Sequence, residues 1–66
     1  MAQYYLNNNT QPNGDREVHK EGCQLMPSDR TFLGAFSRCQ DAVWAARLYH
    51  SQVNGCFVCS RECHTQ

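Results

Sequence analysis

The sequence predicts a small α+β domain, in which three β-strands and one helix, in the order β-β-β-α, precede a cysteine-rich C-terminal tail. Short runs rich in aromatic residues and in alternating polar and apolar residues indicate the strands. Apolar residues at helical spacing between residues 37 and 50 indicate the helix. Three of the five cysteines lie within the last eleven residues, and they define the tail.

Length and charge limit the classes of protein to which the chain can belong. We expect its 66 residues to form one domain, residues 1–66, that buries only about 60% of the surface exposed by the unfolded chain. Six basic residues balance six acidic ones, which disfavours a nucleic-acid partner. No apolar stretch approaches the roughly 20 residues that cross a bilayer, so a membrane is not an expected partner either. The sequence does not identify the partner, and a protein is the candidate that remains.

The cysteine content favours a metal ion as the staple that a domain of this size usually needs. The first residues lack the charged start and apolar run of a signal peptide, so we expect a cytoplasmic chain with mostly reduced thiols. Five is also an odd number of cysteines, which fits a closed disulfide framework poorly. Oligomerisation and a merely adequate core are the alternatives to a metal.

The first two strands are predicted to form a hairpin. Residues 4–6 are a strand-like aromatic run, and residues 16–19 alternate weakly and return antiparallel to it. The loop between them contains Pro12-Asn13-Gly14-Asp15, whose proline presets φ and whose Asn-Gly pair tolerates positive φ.

Residues 31–36 are the third predicted strand. Strict alternation places Phe32, Gly34 and Phe36 on one face, with Leu33 and Ala35 on the other. The glycine indicates a bulge or a close backbone approach at that point.

The helix has recognisable start and stop signals. Ser37 and Gln40 have the spacing of a capping box, with Ser37 as the N-cap. The helix is expected to reach about Tyr49 or His50 and to be stopped by Asn54-Gly55.

Two faces of this helix are predicted. Trp44 and Leu48 form a stripe that is partly exposed. The face toward the sheet comprises Cys39, Ala42, Val43, Ala46 and Tyr49.

Two pairs of candidate metal ligands flank the third strand and the helix. Cys56 and Cys59 form a Cys-x-x-Cys pair, whose sulfurs can reach one ion if the loop between them turns tightly. Zinc takes four ligands in a tetrahedron, and His19 and Cys23 are the candidates for the second pair because Gly22 allows the chain to fold back. The predicted zinc site therefore comprises His19, Cys23, Cys56 and Cys59.

The ligand set has alternatives in the tail. Cys63 and His64 are chemically as able to bind a metal as the predicted ligands. A four-sulfur site would place His19 outside the ligand shell and would comprise Cys23, Cys56, Cys59 and Cys63.

Other cysteines and histidines have simpler interpretations. Cys39, in the first turn of the helix, is predicted to be a small buried thiol. His50 is expected to contact the last helix carbonyls. Buried free cysteines are common in proteins, so a metal-free domain is the alternative to the whole zinc site.

Several segments of the chain resemble the Ada-type metal-binding module of bacteria, over roughly the last two-thirds of the chain. In that module a Cys-x-x-x-Cys pair and a later Cys-x-x-Cys pair hold zinc around a small sheet and helices, and related modules appended to nucleases have histidine in the first position. The segments that carry the resemblance are Val18-His19-Lys20-Glu21-Gly22-Cys23, Phe36-Ser37 before an alanine-rich helix, and Gly55-Cys56-Phe57-Val58-Cys59.

The resemblance implies zinc at His19, Cys23, Cys56 and Cys59. It does not imply the repair chemistry of that family, because His19 stands where the methyl-accepting cysteine would be. The whole chain is also similar to short bacterial proteins, and this second similarity implies no function. They share the Val-His-x-x-Gly-Cys segment, the Leu-Gly-x-Phe strand and the Gly-Cys-x-x-Cys-x-x-x-Cys-His end.

Three functions follow from these patterns. The leading hypothesis is a non-catalytic binding module stabilised by one zinc ion. A metal-free protein-interaction domain would use either the sheet edge or the Trp44 and Leu48 stripe. A thiol redox protein would use Cys56 and Cys59, with Cys63 as the resolving thiol. We do not expect an enzyme, because no Ser-His-Asp pattern is readable and a zinc ion with four protein ligands has no open position.

Overall fold

The computed structural model describes residues 1–65, and it confirms the predicted α+β class. Four strands form one mixed sheet in the order β3-β1-β2-β4, and a single α-helix packs against it. The elements in chain order are β1 Ala2–Asn7, β2 Arg16–Lys20, β3 Arg30–Phe36, α1 Cys39–Ala46, β4 Val53–Gly55 and a 3₁₀ turn at Arg61–Cys63.

The predicted hairpin is present. Strands β1 and β2 pair antiparallel, with Tyr5 opposite His19. In the loop between them, the side-chain oxygen of Asn13 accepts a hydrogen bond of 3.0 Å from the Asp15 amide, and Gly14 has a φ of 94°. Asparagine and glycine therefore shape this turn in the way their chemistry predicts.

Strand β3 contains the bulge that Gly34 indicates. The register against β1 shifts so that Tyr4 lies opposite Gly34 and Tyr5 lies opposite Phe32, which leaves Leu33 as the extra residue. Gly34 has a φ of 132°, a conformation that other residues rarely adopt.

The bulge changes which side chains of β3 face the core. Leu33 and Phe36 both pack against the core, whereas Phe32 is 54% exposed. The prediction that Phe32 and Phe36 share a face was therefore wrong. One extra residue between them reverses the alternation, and strict alternation cannot anticipate this.

Helix α1 is shorter than predicted and begins differently. Its N-cap is Arg38, in extended conformation and without a side-chain cap hydrogen bond, so the predicted Ser37 capping box is absent. The Gln40 side chain instead donates to Glu62 in the 3₁₀ turn, at 3.3 Å. No helix within residues 1–65 is long and apolar enough to cross a membrane.

The two predicted faces of α1 are largely correct. Cys39, Ala42, Val43 and Ala46 are buried against the sheet, while Trp44 is 65% and Leu48 is 71% exposed. The prediction that Tyr49 faces the sheet was wrong. Tyr49 is exposed because the helix ends at Ala46.

The core lies between the sheet and α1 and is made largely of small side chains. Small residues on the helix allow it to approach the sheet closely. The buried apolar residues of this cluster are Tyr4, Leu6, Val18, Cys39, Ala42, Val43 and Ala46.

Strand β4 was not predicted. It has only three residues, and Asn54-Gly55 suggested a helix stop rather than a strand. β4 pairs parallel with β2, with Gly55 opposite Val18. This pairing places the start of the cysteine-rich tail beside the hairpin.

A disulfide joins the start of α1 to the 3₁₀ turn. Cys39 and Cys63 are 24 residues apart in sequence and their Cα atoms are 6.3 Å apart. The prediction that Cys39 is a buried free thiol was therefore wrong about the thiol, although the residue is buried. The odd number of cysteines has a simple explanation, since two form a disulfide and three remain free.

We expect loss of this disulfide to lower the free energy of unfolding by about 3 kcal/mol, because a cross-link of this span restricts the unfolded chain. The Cys39→Ser/Cys63→Ser double variant should show this loss in urea unfolding monitored by circular dichroism, with zinc held in excess. Urea unfolding that is unchanged in the double variant would contradict a stabilising role for the disulfide.

Candidate metal centre

The structure brings together the four residues that the sequence predicts as zinc ligands. One candidate ligand atom from each of His19, Cys23, Cys56 and Cys59 lies within 4.8 Å of all the others. The Sγ atoms of Cys23 and Cys56 are 3.9 Å apart, and Cys59 Sγ is 3.8 Å from Nδ1 of His19. Ligands at zinc–sulfur and zinc–nitrogen bond lengths on a tetrahedron would be about 3.5–3.8 Å apart, so these two separations suit a zinc ion.

Strand β2 and the turn after it supply the first pair. His19 lies on the face of the sheet opposite the core residue Val18, and it is only 1% exposed. The turn closes through a hydrogen bond of 3.1 Å from the Cys23 amide to the Lys20 carbonyl, with Gly22 at a φ of 86°. The chain therefore folds back at Gly22, and Cys23 returns toward His19.

The loop directly after strand β4 supplies the second pair. The Cys56 amide donates to the Val18 carbonyl at 3.0 Å, which continues the pairing with β2 for one more residue. The Cys-x-x-Cys loop is closed by a hydrogen bond of 2.9 Å from the Ser60 amide to the Cys56 carbonyl. The pairing of two neighbouring strands thus places residues far apart in sequence around one point.

Gly55 is required by close packing at the base of this loop. A Cβ atom there would lie 2.5 Å from Cβ of Cys63 and 2.8 Å from the carbonyl oxygen of Ser60. No larger residue fits without displacing the backbone of the tail.

Backbone amides donate to two of the sulfurs. The Lys20 amide lies 3.2 Å from Cys59 Sγ, and the Leu25 amide lies 3.4 Å from Cys23 Sγ. Hydrogen bonds that point at sulfur stabilise the thiolate, which is the form that binds a metal.

Burial shifts the pKa values of two candidate ligands. Burial raises the pKa of the Cys59 thiol to about 12, although the Lys20 amide opposes this shift. Burial also lowers the pKa of His19, so its imidazole is neutral at pH 7, as a metal ligand must be.

A carboxylate lies on the far side of the histidine ring. Oε1 of Glu17 is 3.6 Å from Nε2 of His19. The pKa of Glu17 is raised overall, chiefly by burial. His64 lowers it, and Asp15 raises it further. The sequence interpretation missed Glu17; the signal that could have found it is its position two residues before His19 on the same strand.

The alternative ligands lie outside the cluster. Cys63 is bonded to Cys39, so the four-sulfur alternative is not formed. The ring of His64 lies against Phe57, and its Nδ1–H donates to the Gly55 carbonyl at 3.0 Å. The backbone amide of His50 donates to the carbonyl of Ala46, the last helix residue, at 3.1 Å, whereas its ring accepts a hydrogen bond of 3.1 Å from Arg16.

A buried asparagine fastens the tail and was also missed by the sequence interpretation. The Oδ1 atom of Asn54 accepts hydrogen bonds from the amides of Gly55, at 2.9 Å, and Thr65, at 3.0 Å. Asn54 thereby holds both ends of the cysteine-rich segment together.

No protein-family model, curated protein or solved structure matches this chain. The resemblance to the Ada-type module therefore stays a prediction that rests on the motif residues.

Proposed function

We propose that this chain is a small non-catalytic module, stabilised by one structural zinc ion, that acts by binding another protein. The observation that carries the proposal is the cluster of one imidazole and three thiols, whose ligand atoms all lie within 4.8 Å of one another. Such a set fills all four positions of a tetrahedral zinc and leaves none for substrate, which is typical of structural rather than catalytic sites.

The donor set favours zinc over magnesium and calcium. Thiolate and imidazole are ligands that select zinc, whereas magnesium and calcium prefer oxygen. His19 and Cys56 are almost completely buried, and Cys23 and Cys59 are partly buried. A cation held at this point would therefore be largely shielded from water.

A protein partner is supported by charge and by exposed apolar side chains. The formal net charge is zero, which gives no general attraction for nucleic acid. Phe57 and Val58, at the tip of the Cys-x-x-Cys loop, are exposed, as are Trp44 on α1 and Leu48 just after it. The second candidate, a metal-free interaction domain, rests on this last pair of side chains.

A redox function is opposed by the environment of the cysteines. Reactive thiols have a lowered pKa, but burial raises the pKa of Cys59 to about 12. Arg61, the basic residue nearest in sequence to Cys59, stacks over the ring of Phe57 at 5.1 Å. The raised pKa of the Cys59 thiol therefore disfavours thiol exchange at this residue.

Two observations bear differently on the compartment. The sequence leads us to propose the cytoplasm, but a disulfide such as Cys39–Cys63 persists mainly in oxidising compartments. The number of free thiols distinguishes the cytoplasm from an oxidising compartment. Thiols are trapped with an alkylating reagent during cell lysis, and the protein is then denatured with a chelator. Five labelled thiols would support the cytoplasm, and three would contradict it.

Native mass spectrometry of the protein purified without added metal tests the proposed function. We expect the mass of one zinc ion per chain and protection of Cys23, Cys56 and Cys59 from alkylation until a chelator is added. A bare mass with three reactive thiols, from a chain that is still folded, would support the metal-free interaction domain instead. A disulfide between Cys56 and Cys59 would support redox chemistry.

Zinc affinity is expected to fall on acidification. A thiol with a pKa of about 12 must lose a proton to bind zinc, so the logarithm of the affinity should fall by at least about one for each pH unit between 8 and 6. Because burial lowers the pKa of His19, its protonation favours the unfolded chain, and the loss should steepen as pH falls below about 6.5. Competition titrations against a chromophoric chelator at several pH values measure this slope, and a pH-independent affinity would contradict thiolate ligation.

A further inference from the structure

The two nitrogens of His19 face different groups. Nδ1 lies 3.8 Å from Cys59 Sγ, inside the candidate metal centre. Nε2 points the other way and lies 3.6 Å from Oε1 of Glu17. The imidazole is thus placed between the cluster and a carboxylate.

The strand itself places Glu17 beside the ring. Residues two apart on a strand project from the same face, so Glu17 and His19 are neighbours on β2. β2 lies between β1 and β4, with His19 opposite Tyr5 and Glu17 opposite Asn54. Pairing on both sides fixes the backbone of both residues, and the side chain of Glu17 is itself only 18% exposed.

The chemistry of a histidine ligand gives this contact a role. An imidazole that binds a metal through Nδ1 carries its proton on Nε2, and a carboxylate that accepts this proton's hydrogen bond fixes the tautomer, orients the ring and makes the ligand more basic. The present separation is longer than a hydrogen bond by about 0.5 Å, so a small rotation of either side chain would form one.

We propose that Glu17 is a positioning residue for the metal centre and holds His19 with Nδ1 toward the ion. This inference rests on the proposed function, since it assigns a role to Glu17 only if the cluster binds zinc. Glu17 does not bind the metal in this arrangement. It acts through His19.

Zinc affinity of the full chain tests the role. We expect the Glu17→Gln and Glu17→Ala variants to bind zinc about 10–100-fold more weakly than the wild type in competition with a chromophoric chelator. Glu21→Gln is the matched control, because it removes the same charge from an exposed residue close to Cys23. The carboxylate of Glu21 accepts a hydrogen bond of 3.4 Å from the Gln3 amide. The Glu21→Gln control should keep the zinc affinity of the wild type to about twofold, which is the ordinary effect of a surface substitution.

The nitrogen resonances of the His19 ring test the role of Glu17 separately from a general loss of stability. Long-range ¹H–¹⁵N spectra of the zinc-loaded wild type should show His19 with a proton on Nε2 and zinc on Nδ1. In zinc-saturated Glu17→Ala, the Nε2 resonance should shift and its proton should exchange faster with water.

The outcomes separate this inference from the proposed function. A wild-type chain that binds no zinc would overturn both. A wild type that binds zinc, with Glu17 variants no weaker than Glu21→Gln, would overturn only the role of Glu17. Zinc bound to Nε2 of His19 would overturn it as well.

Discussion

Removal of zinc is expected to abolish the cooperative tertiary structure of the chain at room temperature. Structural zinc sites have apparent binding free energies of about 10–16 kcal/mol at neutral pH, and this energy is coupled to folding. A core of a few mostly small side chains in a chain of 66 residues rarely supplies more than about 3–5 kcal/mol. The metal is therefore expected to decide whether the chain is folded.

Two-dimensional ¹H–¹⁵N spectra before and after treatment with a strong chelator measure this effect. We expect the dispersed amide resonances to collapse, and thermal unfolding of the metal-free chain to lose its transition, since each kcal/mol is worth about 4–8 °C in a domain of this size. The treatment is done without reductant, so that the Cys39–Cys63 disulfide stays closed.

Zinc added back should restore the spectrum, and magnesium at the same concentration should not, because magnesium prefers oxygen ligands. A metal-free chain with an unchanged, dispersed spectrum would show that the core suffices without the ion. The metal-free interaction domain would then be the better account.

Substitution of Cys56 by serine is expected to weaken zinc binding by more than the roughly 10–100-fold that follows loss of a residue outside the ligand shell. Cys56 is 1% exposed, its Sγ lies 3.9 Å from Cys23 Sγ, and its amide extends the pairing of β4 with β2. Serine keeps the size and the backbone hydrogen bond but replaces the thiolate with a hydroxyl that does not ionise near pH 7. Competition titration with a chelator measures the loss even if the variant is unfolded without metal.

The Cys39→Ser/Cys63→Ser double variant is the matched control. It removes two sulfurs from the same small domain but none from the cluster, so all four candidate ligands remain. Because zinc binding is coupled to folding, the zinc affinity of the double variant should fall only by the roughly 150-fold that corresponds to about 3 kcal/mol of lost stability. The reverse pattern, with zinc binding lost in the double variant and retained in Cys56→Ser, would contradict the ligand assignment.

The fold was predictable where local signals are strong. The aromatic run at residues 4–6, the Asn13-Gly14 turn and the spacing of Ala42, Val43 and Ala46 were sufficient for the hairpin and the helix. The bulge at Leu33 was placed only to within a residue, because its position depends on pairing with β1. The wrong face predicted for Phe32 follows from this uncertainty in the position of the bulge.

The cluster of four candidate ligands was predictable because ligand spacing is a local property, but the strand pairing and the disulfide around it were not. Cys-x-x-Cys and His-x-x-x-Cys each bring two ligands together within one turn, and this is visible in the sequence. Strand β4 has too few residues to leave a pattern, and its pairing with β2 is a long-range event. The Cys39–Cys63 disulfide requires Cα atoms about 6 Å apart, a distance that only the packed helix and tail define.

Zinc K-edge X-ray absorption of the zinc-loaded chain tests the central claim most directly. The structure predicts three sulfur ligands at about 2.3 Å and one nitrogen ligand at about 2.0–2.1 Å, from Cys23, Cys56, Cys59 and His19. A shell of four sulfurs would instead indicate that Cys63 has left its disulfide to bind the metal. A shell dominated by oxygen and nitrogen would contradict a structural zinc site at this cluster.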